Sequence, residues 1–118
     1  MPETLSKLTE RLIVFRDERD WRQFQTLKNL IVSLNLEATE MLELTQWKSD
    51  MEIEEAIEDE EFKSKLAEET ADVLLYLLMI CERAGIDVGK AASRKIDRNG
   101  EKYPVEKARG NARKYTDL

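Results

Sequence analysis

Glu69-Thr70-Ala71-Asp72-Val73-Leu74-Leu75-Tyr76, residues 69–76, begins polar and runs into an apolar stretch that continues to Cys81. Glu69 and Asp72 stand three residues apart, so on a helix both carboxylates leave the same side. Val73, Tyr76 and Ile80 continue that side into the apolar run. The spacing predicts a helix from about Glu61 to Gly85, the glycine being a good C-terminal stop. Its second half is apolar all round, and such a helix must be covered on every side. One chain of 118 residues with four or five helices is short of surface for that. An all-α bundle completed by homo-oligomerisation is the expected architecture.

Working outward, Leu34-Asn35-Leu36-Glu37-Ala38-Thr39-Glu40-Met41-Leu42 repeats the pattern. Glu37 and Glu40 are again three apart, and they border an apolar stripe that includes Leu34, Met41 and Leu44. That stripe predicts a helix from about Thr26 to Lys48. If these two helices pack face to face, four carboxylates converge in a partly dry crevice. At about 5 Å and an effective dielectric of about 20, each pair repels by about 3 kcal/mol. The groups must protonate, splay or hold cations, and oxygen-only ligands favour a hard ion such as Mg²⁺, with Mn²⁺ as its expected substitute. Glu37, Glu40, Glu69 and Asp72 are therefore the candidate metal ligands. Glu43 and Glu68 lie beside them as a further ligand or a base, and Glu40 and Glu43 are the candidate catalytic proton acceptors.

The remaining elements follow from caps and periodicity. Leu5, Leu8, Leu12 and Phe15 mark a first helix toward Asp20, with Thr4 and Ser6 as cap residues. Residues 50–61 carry acids and no base, and read as a short exposed helix or a loop. Asp87 caps a helix from about Val88 to Asn99, and Pro104 and Gly110 predict an irregular basic tail from about residue 100. No strand pattern, repeat or linker is present, so residues 1–118 are expected to form a single domain.

Composition narrows the function classes. The chain contains no histidine, which excludes the Glu-x-x-His di-iron bundles, hydrolases with a histidine base and imidazole zinc sites. A net charge of −6 argues against a nucleic-acid polymer as partner. The single cysteine, Cys81, cannot form an internal disulfide and reads as a small core residue in a reduced, cytoplasmic setting. No stretch has the length of a membrane span or the pattern of a signal peptide, so no membrane association is expected. The C-terminal part from Lys90 is basic, the pattern of an anion-handling segment or a solvated face. There Lys95 and Asn99 stand four apart and are followed by Lys102 and Tyr103, a cation–amide–phenol row suited to a phosphate tail. Trp21, Trp47 and Tyr76 are the aromatics near the acidic pairs, able to stack on a nucleobase or to serve as core.

Together these residues resemble the all-α nucleoside triphosphate pyrophosphohydrolases of the MazG superfamily, most closely the small dCTP pyrophosphatase branch. The resemblance is carried by Arg19-Asp20-Trp21-Arg22-Gln23-Phe24, Asn29-Leu30, Leu36 to Leu44, Gln46-Trp47-Lys48 and Glu68 to Leu77. Lys95, Asn99, Tyr103-Pro104 and Arg113-Lys114-Tyr115-Thr116 complete it, so it covers nearly the whole chain in order. It implies a helical bundle completed by dimerisation, Mg²⁺ on Glu37, Glu40, Glu69 and Asp72, phosphates on Lys95, Asn99 and Tyr103, and a base pocket shaped by Trp21, Trp47 and Tyr76. The implied reaction is attack of water on the α-phosphorus, giving a nucleoside monophosphate and pyrophosphate, for removal of surplus or non-canonical nucleotides. Gln25 stands where close relatives often carry histidine, and Ala38-Thr39 replaces a more usual Val-Gly; both departures bear on the preferred base. A catalytically silent helical module and a nucleotide-binding regulator are the alternatives from other classes.

Overall fold

Side-chain caps open each of the first five helices. The computed structural model describes residues 2–118, and α1 (Leu5–Glu18) begins where the Thr4 hydroxyl accepts from the Lys7 amide at 3.1 Å. In the same way Thr26 caps α2 (Leu27–Glu43), Asp59 caps α4 (Glu60–Ala84) and Asp87 caps α5 (Val88–Lys102). Each cap satisfies an amide that has no partner inside its helix. The acidic segment resolves into an exposed helix, α3 (Asp50–Ala56), whose Ser49 and Glu52 form a reciprocal capping box. No strand occurs among the described residues. None of the described helices is long and apolar enough to cross a membrane.

Two boundaries differ from expectation. The second helix was expected to reach Lys48 but ends at Glu43. The Thr45 hydroxyl donates to the Leu42 carbonyl at 2.7 Å, and the Thr45 and Gln46 amides bond three residues back, to Leu42 and Glu43. These tighter bonds replace the four-residue ladder and turn the chain out of the helix. The tail beyond residue 100 is also less irregular than its composition suggests. Helix α5 continues to Lys102, Pro104 opens a single turn, α6 (Val105–Ala108), and Tyr115–Asp117 form a 3₁₀ turn. Proline suits that opening position, because its missing N–H has no helical partner to lose.

The chain divides into two compact units, the first reaching Gly85 and the second running from Ile86 to Leu118. Gly85 ends α4 with φ 70°, a left-handed conformation that favours glycine. In the first unit α4 packs against α2 and α1. The fully buried apolar side chains there are few: Leu30, Phe62, Leu78 and Met79. The apolar run of α4 is mostly half-buried, and Leu77 is exposed. More apolar surface is open on α2, where Ile31, Val32, Leu36 and Leu42 are exposed. In the second unit no described residue is fully buried, and Ile96 and Val105 are exposed.

Candidate active site

Packing of α2 on α4 brings the two acidic pairs together. Glu37, Glu40 and Glu69 each offer a carboxylate oxygen within 4.8 Å of the others. The i, i+3 spacing aims Glu37 and Glu40 from one side of α2, while Glu69 reaches them from α4. Asp72 lies outside this tight trio, but its charge bears on both Glu37 and Glu69. The expected four-carboxylate convergence is thus a group of three with Asp72 at its margin.

Burial and mutual repulsion strain this group. Desolvation is the main cause that pushes the Glu37 carboxyl above its ordinary range, followed by repulsion from Glu40 and Asp72. Glu69 is raised in the same way, by desolvation first and then by the close approach of Glu40. One oxygen of each, Glu37 Oε2 and Glu69 Oε2, is buried without a hydrogen-bond partner. Leaving a polar atom unpaired in this way costs about 1–3 kcal/mol, and more when it is charged. A hard divalent cation satisfies such oxygens. Ligands about 2.1 Å from Mg²⁺ on opposite sides stand about 4.2 Å apart, so a set spanning 4.8 Å closes on an ion with small side-chain rotations. The donor set fits the ion expected from sequence.

Glu43 and Glu68 are not members of the trio. Glu43 lines a separate groove with Lys48, Asp59, Phe62 and Lys65, and Glu68 is exposed.

Beside the carboxylates lies a cavity of about 230 Å³, lined by Leu12, Phe15, Arg16, Trp21, Gln25, Asp72, Leu75, Tyr76 and Met79. Its aromatic wall depends on how α1 ends. Asp20 adopts a left-handed φ of 51°, and the Trp21 amide then donates back to the Arg16 carbonyl at 3.0 Å. This folds the indole onto Phe15, ring centroids 5.7 Å apart in an edge-to-face arrangement. Asp72 belongs both to the cavity wall and to the surroundings of the carboxylates, so the two features adjoin.

Of the aromatics expected at the base, Trp21 and Tyr76 line this cavity and Trp47 does not. Trp47 is 93 % exposed, with a left-handed φ of 67°, in the turn that ends α2. Lys95, Asn99, Lys102 and Tyr103 belong to the second unit. There Tyr103 packs edge-to-face on Tyr115, and the Lys102 ammonium sits 4.8 Å from the Tyr115 ring centroid. Lys95 and Asn99 are exposed on α5.

Sequence reasoning missed Arg16. It is 4 % exposed, bonded to Asp17 at 2.8 Å and, from α1 to α4, to Glu82 at 3.2 Å. The signal was available, since Leu8, Leu12 and Arg16 recur at four-residue steps, which places the arginine on the buried stripe.

Comparison with known proteins identifies the family of the chain. The MazG-like family matches residues 32–118. Its relatives are similar along almost the whole chain. The dCTP pyrophosphatase 1 of Rattus norvegicus is 41 % identical over 115 residues, covering 98 % of this chain and 68 % of the relative. The dCTP pyrophosphatase 1 of Homo sapiens is 38 % identical over the same span. A crystal structure of a pyrophosphatase from Archaeoglobus fulgidus superimposes with a TM-score of 0.79 at 41 % identity, covering 88 % of this chain and 95 % of that one. The chain belongs to the MazG-like family, as a nucleoside triphosphate pyrophosphohydrolase.

Proposed function

We propose that the chain hydrolyses pyrimidine deoxynucleoside triphosphates, with dCTP as the reference substrate, to the monophosphate and pyrophosphate. The observation that carries this reading is the adjacency of the three-carboxylate group to the Trp21–Tyr76 cavity through Asp72. A flat base in that cavity leaves its phosphates close to the carboxylates. Glu37, Glu40, Glu69 and Asp72 are the residues that would hold Mg²⁺ or Mn²⁺. When bound there, the ion supplies charge neutralisation for the phosphates and polarises the attacking water. Glu40, the exposed member of the trio, is the favoured proton acceptor from that water, because Glu43 belongs to a different groove. Trp21 and Tyr76 orient the base, and the half-closed cavity limits competing water around it. The proposal assigns the phosphate tail to Lys95, Asn99, Lys102 and Tyr103 from the chemistry of the second unit alone. Support for treating both units as one functional domain comes from the family match, which runs across them.

The test is hydrolysis of dCTP with Mg²⁺ in ¹⁸O-labelled water. Label in the monophosphate and release of intact pyrophosphate are expected. Label in pyrophosphate, or release of orthophosphate, contradicts attack at the α-phosphorus. A nucleotide that binds without being consumed returns the chain to the regulator class.

The proposal includes a homodimer or homotetramer. Ile31, Val32, Leu36 and Leu42 leave an apolar face of α2 open to water, and coverage by a second copy removes it. Assembly also offers the exposed Trp47 indole to a neighbouring copy, the setting in which its base-binding role is retained. Folding and association should therefore be coupled, with a melting temperature that rises with protein concentration. A monomer by light scattering at micromolar concentration, with intact helicity, contradicts this.

A further inference from the structure

Two rows of like charge run along separate helices of this chain, one basic and one acidic. On α5, Lys90, Arg94 and Arg98 follow one another at four-residue steps, so their side chains form one ridge with about 6 Å between successive positions. All three are exposed, and among the described residues none forms an ion pair, with Asp97 and Glu101 of the same helix or with any other acid. Lys102 is next in the series, but its ammonium lies over the Tyr115 ring. On α3, Asp50 and Glu54 repeat the step with acids. The Glu58 amide bonds the Glu55 carbonyl at 3.2 Å, and that tighter turn brings Glu58 in as the third member. These acids are also exposed and form no ion pair among the described residues.

Like charges four residues apart oppose the helix that carries them. The helix ends add to this. Lys90 lies in the first turn of α5, where the helix dipole disfavours a cation, and Glu58 lies just past the last turn of α3, where it disfavours an anion. A row that is unfavourable within its own element is stabilised by an opposite row of the same spacing. The two rows meet that condition. With the helix axes antiparallel, Glu58 faces Lys90, Glu54 faces Arg94 and Asp50 faces Arg98. Each misplaced end charge then also meets the helix end that suits it.

We propose that the acidic row of α3 in one copy docks on the basic row of α5 in a second copy. A two-fold axis makes this contact twice, since each copy offers both rows. The contact is separate from the apolar face of α2 and independent of the hydrolase reading. A nucleic-acid polymer suits the basic row less well, because the chain as a whole carries a net charge of −6. Lys95 and Asn99 each follow a member of the basic row by one residue, so docking also fixes the roll of the helix that carries them.

The test is charge exchange in the full chain, read by sedimentation velocity over a concentration series. Lys90→Glu with Arg94→Glu sets acid against acid, and Glu54→Lys with Glu58→Lys sets base against base. Each of these variants alone should self-associate at least about tenfold more weakly than wild type, since two exposed pairs are reversed in each of two contacts. An equimolar mixture of the two should return to within about threefold of wild type, because every acid again faces a base. Net charge alone puts the mixture between the two variants instead. Raising salt from about 0.05 M to about 0.5 M should weaken the wild-type assembly and strengthen both variants, because screening removes attraction in one and repulsion in the others. Where a variant alone loses helicity, the mixture still decides, since only an opposite row on a second copy restores it. Rescue in a chain carrying all four exchanges but not in the mixture puts the contact within one copy and overturns the proposal. Wild-type association in both variants leaves the rows to solvent or to another partner, and overturns it as well.

Discussion

Glu69→Gln should lower kcat/KM by about a thousandfold while the metal-free protein melts no lower than wild type. The activity loss follows from removing a ligand from a site that supplies several kcal/mol of charge stabilisation, each 1.36 kcal/mol being a factor of about ten. The stability result follows from the strain of the carboxylates. Glu69 Oε2 is buried without a partner, and desolvation and then Glu40 oppose its ionisation. The amide keeps the volume and removes the charge, so repulsion within the trio falls. Wild type should also gain melting temperature from Mg²⁺, and the variant should lose that gain. A Glu69→Gln protein that retains a tenth of the activity, or the full Mg²⁺ shift, would falsify a ligand role for this residue.

The same strain gives a pH signature of definite sign. Glu37 and Glu69 have folded-state values raised above the ordinary 4.5. Their contribution to stability is present below the ordinary carboxylate range and is lost as pH rises through the raised values. Asp17 runs the other way, because its hydrogen bond from Arg16 lowers it below 3.8. Its contribution holds at higher pH and is lost as pH falls through the lowered value. Metal-free wild type should therefore gain stability on mild acidification from neutrality, before Asp17 titrates. Glu37→Gln and Glu69→Gln should each flatten that gain. Mg²⁺ should reverse the trend, since the ion binds only the deprotonated groups and competes with protons.

What could be read from the chain beforehand was local. The caps Thr4 and Asp87 and the stop at Gly85 act within one turn of their own positions, so residue type alone revealed them. The convergence of Glu37, Glu40 and Glu69 was legible for a related reason: i, i+3 spacing fixes a helix side, and the apolar neighbours fix which side packs. The end of α2 was hidden, because Leu44 and Trp47 extend the apolar stripe while the Thr45 hydroxyl withdraws the Leu42 carbonyl from the ladder. With that turn, Trp47 leaves the face it would share with Glu40 on a longer helix. Asp72 was placed on the correct side of α4, but its position at the margin of the trio depends on interhelical distance, which periodicity does not contain. Gln25 was visible only as a difference from relatives; its buried, unpaired oxygen is a tertiary fact.

Arg16 is the residue whose importance a linear reading understates most, and it supports the second large prediction. Arg16→Met should destabilise the protein toward the lower end of the roughly 3–5 kcal/mol typical of breaking a buried ion pair. The lower end applies because Glu82 keeps 27 % and Asp17 52 % of their side-chain surface in water, while Arg16 keeps 5 %. Most of the loss comes from the partner left behind: Glu82 reaches toward α1 from the same helix that carries Glu69 and Asp72. If so, removing that partner too should restore much of the stability. Arg16→Met with Glu82→Leu should melt well above Arg16→Met alone, since apolar groups of similar size often replace a buried pair without cost. A double-mutant cycle in urea measures the coupling. Arg16 also lines the cavity beside Trp21 and Tyr76, so on the proposed base-binding role of that cavity the double variant should fold yet bind nucleotide poorly. A single Arg16→Met that loses less than about 1 kcal/mol, the worth of an exposed pair, would show that the Arg16–Glu82 bridge does not hold α1 on α4.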